Sequence, residues 1–190
     1  QSVLDTDFTA DLTIMEEGTE LLHRLKANLV DGDDKEPLPL TTSCSPGWVK
    51  FFEHIYPELL PHMSTCKSPQ QMFGALAKTY YADKEGVNPE DIYSVSIMPC
   101  SAKKYECQRP EMNDSGFQDV DAVLTTREAS VMMKQLGIDL PELEDEDYDD
   151  PLGISTGAAV IFGNTGGVME AAVRSAYFLL VGENLPSLDV

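Results

Sequence analysis

"DIYSVSIMPCSAKKYE", residues 91–106, decides the fold. Its opening part, 91–99, carries Ile92, Val95 and Ile97, residue types that fit a pleated strand. Cys100 then stands at the carboxyl end of that strand, ahead of two lysines. Working outward, "VDAVLTT" (120–126) predicts a second strand and "REASVMMKQLG" the helix after it. Upstream, "SPQQMFGALAKTYYADKEG" (68–86) predicts a helix with Ser68 as N-cap, Pro69 in its first turn and Gly86 as terminator. "PLPLTTSC" (37–44) reads as an extended run, and the helix behind it should start at Pro46. Residues 10–26 place Leu12, Met15, Leu22 and Leu25 at near-helical spacing, with Asp11 as the expected N-cap. The Gly-rich turn "FGNTGG" opens a last helix, "VMEAAVRSAYFLLVG". Strands separated by helices give an α/β fold, a largely parallel sheet flanked by helices.

Composition narrows the function. The chain has 190 residues, 13 Lys+Arg against 33 Asp+Glu, and a formal charge of −20. Such a surface repels phosphate backbones and anionic membranes, so no nucleic-acid partner is expected. No run approaches the roughly 18–20 apolar residues needed to span a bilayer, so no membrane insertion is expected. "ELEDEDYDD" (142–150) holds seven carboxylates in nine residues and reads as a solvated loop. Four cysteines without the look of a small secreted chain favour the reducing cytoplasm. From its length the chain is taken as one domain.

Two cysteine stretches fall at the same kind of place. Cys44 follows an extended run and precedes a helix; Cys100 ends a strand. Open α/β sheets bind ligands outside the carboxyl ends of their strands. Iron–sulfur clusters take four thiolates, often from loops. Cysteine is also among the most buried residue types, so spacing alone leaves ligand and core thiol both open. "GNTGG" before a helix resembles a phosphate cradle, but it lacks the Lys-Ser/Thr of a P-loop, and close backbone packing explains it better.

The flanking residues carry more. "TSCSPGWVKFFE", "MPCSAKKYE", "FTADLTIMEEGTELL", "STCKSPQQMFG", "DVDAVLTTRE" and "IFGNTGGVMEAAVRSAY" together resemble the catalytic H-domain of [FeFe]-hydrogenases. The likeness runs from about residue 4 to 182, and the first two stretches look like the family signatures TSCCPxW and MPCxxKxxE. It implies one lobe of the iron-only hydrogenase large-subunit fold. It also implies an H-cluster: a [4Fe–4S] cluster joined by a shared thiolate to a two-iron centre bearing CO, cyanide and a dithiolate. The activity implied is reversible reduction of protons to H₂, with electrons from ferredoxin or an NAD(P)H-linked subunit.

Roles carry over residue by residue. Cys100 matches a cluster ligand, and Ser45 stands where the first signature has its ligand cysteine. Cys44 matches the neighbouring cysteine that passes protons to the dithiolate amine. Glu17, Glu20 and Ser64 match the relay leading outward, with Arg24 at its outer end. Lys103 matches the lysine that donates to a cyanide; Met98, Ser68, Pro69, Gln70 and Phe162 match the pocket lining. Glu17 and Glu20, three apart on a helix, share a face, as a proton wire requires and as a solvated acidic stripe also would.

Departures set further expectations. The third signature, ExMACxxGCxxGGG, which supplies two more cysteines, does not occur in these 190 residues. The chain therefore reads as the middle portion of a hydrogenase large subunit, 1–190 being a partial H-domain, inactive alone and with the cofactor absent or incomplete. An uncovered sheet edge in such a portion is expected to drive self-association. The alternative is a hydrogenase-like iron–sulfur protein acting in cluster assembly, or an H₂ sensor; assembly proteins share both signatures but do not need the Cys44–Glu17–Ser64–Glu20 set. Cys66 lies near that relay and reads as a buried or a redox-sensitive thiol, Cys107 as a structural one, and His23, His54 and His62 as surface helix residues without a ligand partner.

Overall fold

The computed structural model describes residues 2–33, 35–150 and 153–187. In chain order they form α1 (Asp7–Lys26), α2 (Pro46–Ile55), α3 (Pro69–Leu76), α4 (Ala82–Glu85), β1 (Val95–Met98), α5 (Ala102–Glu106), β2 (Ala122–Thr125), α6 (Thr126–Gln135), α7 (Gly157–Phe162) and α8 (Gly167–Val181). The α/β class holds: β1 and β2 are parallel, in register Val95↔Ala122 to Met98↔Thr125. Among the described residues the sheet has these two strands, and helices make up most of the rest. The span taken as one domain divides into two units, one of residues 6–69 and 154–190, the other of 1–5 and 70–153.

In the first unit α1 packs on α7 and α8. α1 begins earlier than its sequence pattern suggests, and Asp11 is not its N-cap. Both Asp11 carboxylate oxygens are taken by Thr156, from its amide at 2.5 Å and its hydroxyl at 2.8 Å. Thr156 in turn caps α7, its hydroxyl accepting from Ala158 N–H at 3.2 Å. The expected apolar stripe is also displaced: Met15 is 67% exposed, while Ala10, Thr13, Ile14, Glu17, Gly18 and Arg24 are buried. Those positions recur every three or four residues, so they form one helix face. Ile14 meets Val168 and Ala171 of α8 in an apolar core, and the buried alanines 171, 172 and 176 let α8 approach closely. α2 starts at Pro46 as read, proline losing nothing at a helix's first turn. Before it, the extended run makes a parallel bridge between Thr41 and Met63.

In the second unit β1 is shorter than the 91–99 span, because Pro89–Asp91 closes a 3-10 turn first. β2 lies within its expected span, and Thr125 and Glu128 make a reciprocal capping box at the start of α6. α3 runs through a π turn, Ala77–Tyr81, into α4, and Gly86 ends it at φ +66°. Gly74 is required by packing: a Cβ there would lie 2.4 Å from the Asp119 carbonyl oxygen. Cys107, Val120 and Val123 form the core, with Met98 against them. Residues 142–150 are exposed throughout, and Asp149 is tied to the N-terminal segment by Val3 N–H at 2.8 Å and an isolated bridge to Leu4.

Candidate functional site

The first unit gathers a polar chain beneath the extended segments. Glu17 and Glu20 leave the same face of α1, as their spacing requires. Ser64, 6% exposed, donates its hydroxyl proton to Glu20 Oε2 at 2.8 Å. Thr65 N–H reaches the same oxygen at 3.1 Å. Arg24 binds Glu20 Oε1 through Nη2 at 2.6 Å and Nε at 3.1 Å. Arg24 is itself 2% exposed, its remaining donors taken by the carbonyls of Pro37, Pro61 and Met63. The guanidinium expected at an outer, solvent-facing end is therefore a buried anchor.

These neighbours set two opposite carboxyl groups. Burial pushes Glu17 up to about 7, with the nearby Glu20 charge adding to it and the Ser43 amide and Ser64 hydroxyl pulling it back. Its Oε2 is buried and has no hydrogen-bond partner. Glu20 suffers burial too, but the Ser64, Arg24 and Thr65 hydrogen bonds and the Arg24 charge outweigh it and hold the group below its ordinary value. Near neutral pH Glu17 therefore exchanges between its neutral and ionised forms, while Glu20 stays ionised.

Cys66, read from the sequence as a thiol near the relay, has its sulfur 3.7 Å from Glu20 Oε2, and its amide donates to Ser64 Oγ at 3.1 Å. Burial and the two glutamates push that thiol up to about 12, so it stays protonated and unreactive. Cys44 is half-buried and packs, with Phe162, on the Ile14–Val168–Ala171 core. Ser45 is exposed at the N-cap of α2 and makes no side-chain capping bond. Ser68 is buried just before α3, and the Pro69 carbonyl accepts from Thr9 Oγ1 at 2.8 Å.

The second unit holds the other assigned residues. Cys100 is exposed past the end of β1. Lys103 lies 3.0 and 3.1 Å from the two carboxylate oxygens of Glu106, which is buried. Gln70, 3% exposed, donates to Glu106 Oε2 at 3.1 Å and accepts from Ser96 Oγ at 2.9 Å. Glu106 was quoted as the end of MPCSAKKYE but given no role; the glutamate one turn after a lysine was the available signal. Met98 packs in the core, and Cys107 is a buried thiol as read.

The donor set bears on a cluster directly. None of the four cysteines is in a disulfide, and among the described residues no group of three or more His, Cys, Asp or Glu could hold a metal ion. Cys100 fits a single thiolate ligand; the chain's residues by themselves do not fit a four-thiolate group.

A family model described as the iron only hydrogenase large subunit, C-terminal domain, matches residues 1–190. The chain belongs to that family. It is 61% identical over 187 residues to the NADP-reducing hydrogenase subunit HndD of Solidesulfovibrio fructosivorans, covering 98% of this chain and 32% of that protein. Identity to the periplasmic [Fe] hydrogenase large subunit of Nitratidesulfovibrio vulgaris is 56%, over 97% of this chain and 43% of the other. The cytosolic iron-sulfur assembly component 3 of Pongo abelii is 35% identical, with 95% and 38% covered. A solved [FeFe]-hydrogenase structure, concerned with oxygen inactivation at the H cluster 2Fe subcluster, superposes with TM-score 0.87 at 50% identity, covering 98% and 46% of the two chains. The chain thus spans less than half the length of these relatives. Among the described residues no helix is long and apolar enough to cross a membrane.

Proposed function

We propose that these residues form part of the H-domain of an iron-only hydrogenase that interconverts protons and H₂, and that this part moves the proton. The observation that carries the reading is the buried Glu17, titrating at about 7 next to Ser64 and the ionised Glu20. The H-cluster, if bound in the longer protein, would supply the redox chemistry; Cys100 would be one thiolate ligand and Lys103 a hydrogen-bond donor toward it. The family resemblance assigns Ser45, Ser68, Pro69 and Phe162 in the first unit, and Gln70 and Met98 in the second, to its lining. On the protein side, Cys44 passes the proton and Glu17 stores it as a neutral acid. Ser64 donates to Glu20 while its free lone pair can accept, so one hydroxyl serves both directions. Glu20, fixed by Arg24, is the acceptor toward solvent.

The whole protein's electrons come from ferredoxin or an NAD(P)H-linked subunit; the 61% identity to an NADP-reducing hydrogenase subunit supports the second. Four cysteines outside any disulfide support a reducing, cytoplasmic setting, although one hydrogenase relative is named periplasmic. The cluster-assembly reading has a relative at 35% identity. Ser64→Ala in the full-length protein separates the two: H₂ turnover should fall at least about tenfold with iron content unchanged. Unchanged turnover would overturn the role of Ser64 in the relay, and no turnover in the parent protein would overturn the hydrogenase reading in favour of assembly or sensing.

A further inference from the structure

Segments 41–43 and 62–66 run side by side. Thr41 N–H donates to the His62 carbonyl and Ser64 N–H to the Thr41 carbonyl, each at 2.7 Å, one full rung of a parallel ladder. In such a ladder the next rung takes Ser43 N–H to the Ser64 carbonyl and Cys66 N–H to the Ser43 carbonyl. Both amides point elsewhere. Ser43 N–H reaches Glu17 Oε1 at 3.4 Å, and Cys66 N–H reaches Ser64 Oγ at 3.1 Å. Where the rung has opened, the Ser43 hydroxyl donates to the Cys66 carbonyl at 2.5 Å and ties the segments together.

We propose that Ser43 is a positioning residue for proton transfer, its hydroxyl holding the opened rung so that two backbone amides serve Glu17 and Ser64 instead of each other. This rests on the reading that Glu17 and Ser64 carry protons. The Cys66 amide occupies one lone pair of Ser64 Oγ and the hydroxyl proton goes to Glu20, which leaves a single lone pair to accept. Without the tie the rung can close, withdrawing the Ser43 amide from Glu17 and the Cys66 amide from Ser64. Few other groups compete at Glu17. Glu20 is the charge acting on it, from its own helix; segment 62–66 carries two titratable groups, the Cys66 thiol and His62, whose Nδ1 lies 3.0 Å from the Pro39 carbonyl oxygen. α7 and α8 meet α1 at Ile14 with the apolar Phe162, Val168 and Ala171.

The test compares Ser43→Ala, Ser43→Thr and Glu17→Gln in the cofactor-loaded, full-length enzyme. Two readouts are needed: the pH profile of H₂ turnover, and the carboxyl infrared band that titrates with Glu17 and is lost in Glu17→Gln. Ser43→Ala should raise the Glu17 midpoint by about half to one pH unit, because the carboxylate loses an amide donor. The pH limb should move with it, and Ser43→Thr should restore both. A Glu17 midpoint unmoved in Ser43→Ala overturns the positioning role, even where activity falls evenly at all pH. A pH limb that survives in Glu17→Gln overturns the relay reading itself.

Discussion

Lys78 Nζ stands 2.8 and 2.7 Å from the two carboxylate oxygens of Asp121, with the lysine side chain 3% exposed and the aspartate 19%. The ammonium also donates to the Gln118 carbonyl at 2.6 Å, and Asp121 Oδ2 accepts Ser94 N–H at 2.7 Å. Lys78 sits in the π turn after α3, so the pair fastens that helix to the chain around both strands. Removing one member of a buried pair leaves a charge without compensation, which costs about 3–5 kcal/mol. Lys78→Met should destabilise the fold by that order in denaturant unfolding. Adding Asp121→Asn should recover part of the loss, since the stranded charge is then gone. Equal losses in the single and double variants would exclude this origin.

Glu17 predicts a pH dependence of stability. Its carboxyl titrates at about 7 in the folded chain against 4.5 as a free group, so the folded state holds the proton more tightly. Stability from this group is fully present below the unfolded value and is lost as pH rises through the folded one. Glu20, shifted downward, acts with the opposite sign and only in more acid solution. Glu17→Gln keeps an acceptor for the Ser43 amide and removes the buried charge. It should therefore be more stable than the parent at pH 8, by about 1–3 kcal/mol, and close to it at pH 4. Thermal unfolding at both pH values checks this; a constant difference would count against it.

The thiol inventory predicts the behaviour of the 190-residue chain by itself. Cys107 is buried in a core and Cys66 is held protonated beside Glu20, which leaves Cys44 and Cys100. Clusters of the [4Fe–4S] type take four thiolates. Anaerobic reconstitution with iron and sulfide should leave less than about one such cluster per chain, on a protein that is folded by circular dichroism. A stoichiometric cluster absorbance on the monomer would contradict this.

What was legible in the sequence followed local chemistry. Pro46 marked the start of α2 and β-formers placed β1 and β2, while the equally local Thr125–Glu128 capping box of α6 went unread. The inner face of α1 was not legible from apolar spacing, because it buries Glu17, Thr13 and Arg24 and leaves Met15 out. Polar groups take that face because each but one oxygen of Glu17 meets a partner there, and hydrophobic periodicity is blind to such matching. The resemblance picked out Glu17, Glu20 and Ser64 by motif alone. It could not supply Ser43 or Cys66, whose part depends on two segments 23 residues apart meeting through backbone groups.

Cys44 carries the last prediction, made for the complete enzyme. Its thiol is half-buried against Ile14, Val168 and Ala171, in the same unit as Glu17 and Ser64. A thiol titrating near 8.5 in its unperturbed state gives up and regains a proton at little cost near neutral pH. Replacing it with alanine removes the innermost exchangeable group of the relay. H₂ turnover of Cys44→Ala should fall by about a hundredfold or more, the size of a lost general acid–base contribution. Cys44→Asp should restore part of the rate, because a short carboxylic acid also exchanges protons, though it enters an apolar surface at some cost in stability. Iron content separates this role from ligation. Ser45, exposed and making no cap bond, occupies the neighbouring position where the signature has its ligand cysteine. If Cys44→Ala keeps its iron while losing turnover, Cys44 passes protons; if it loses the cluster, Cys44 has become the ligand in place of Ser45 and the relay must begin at Glu17.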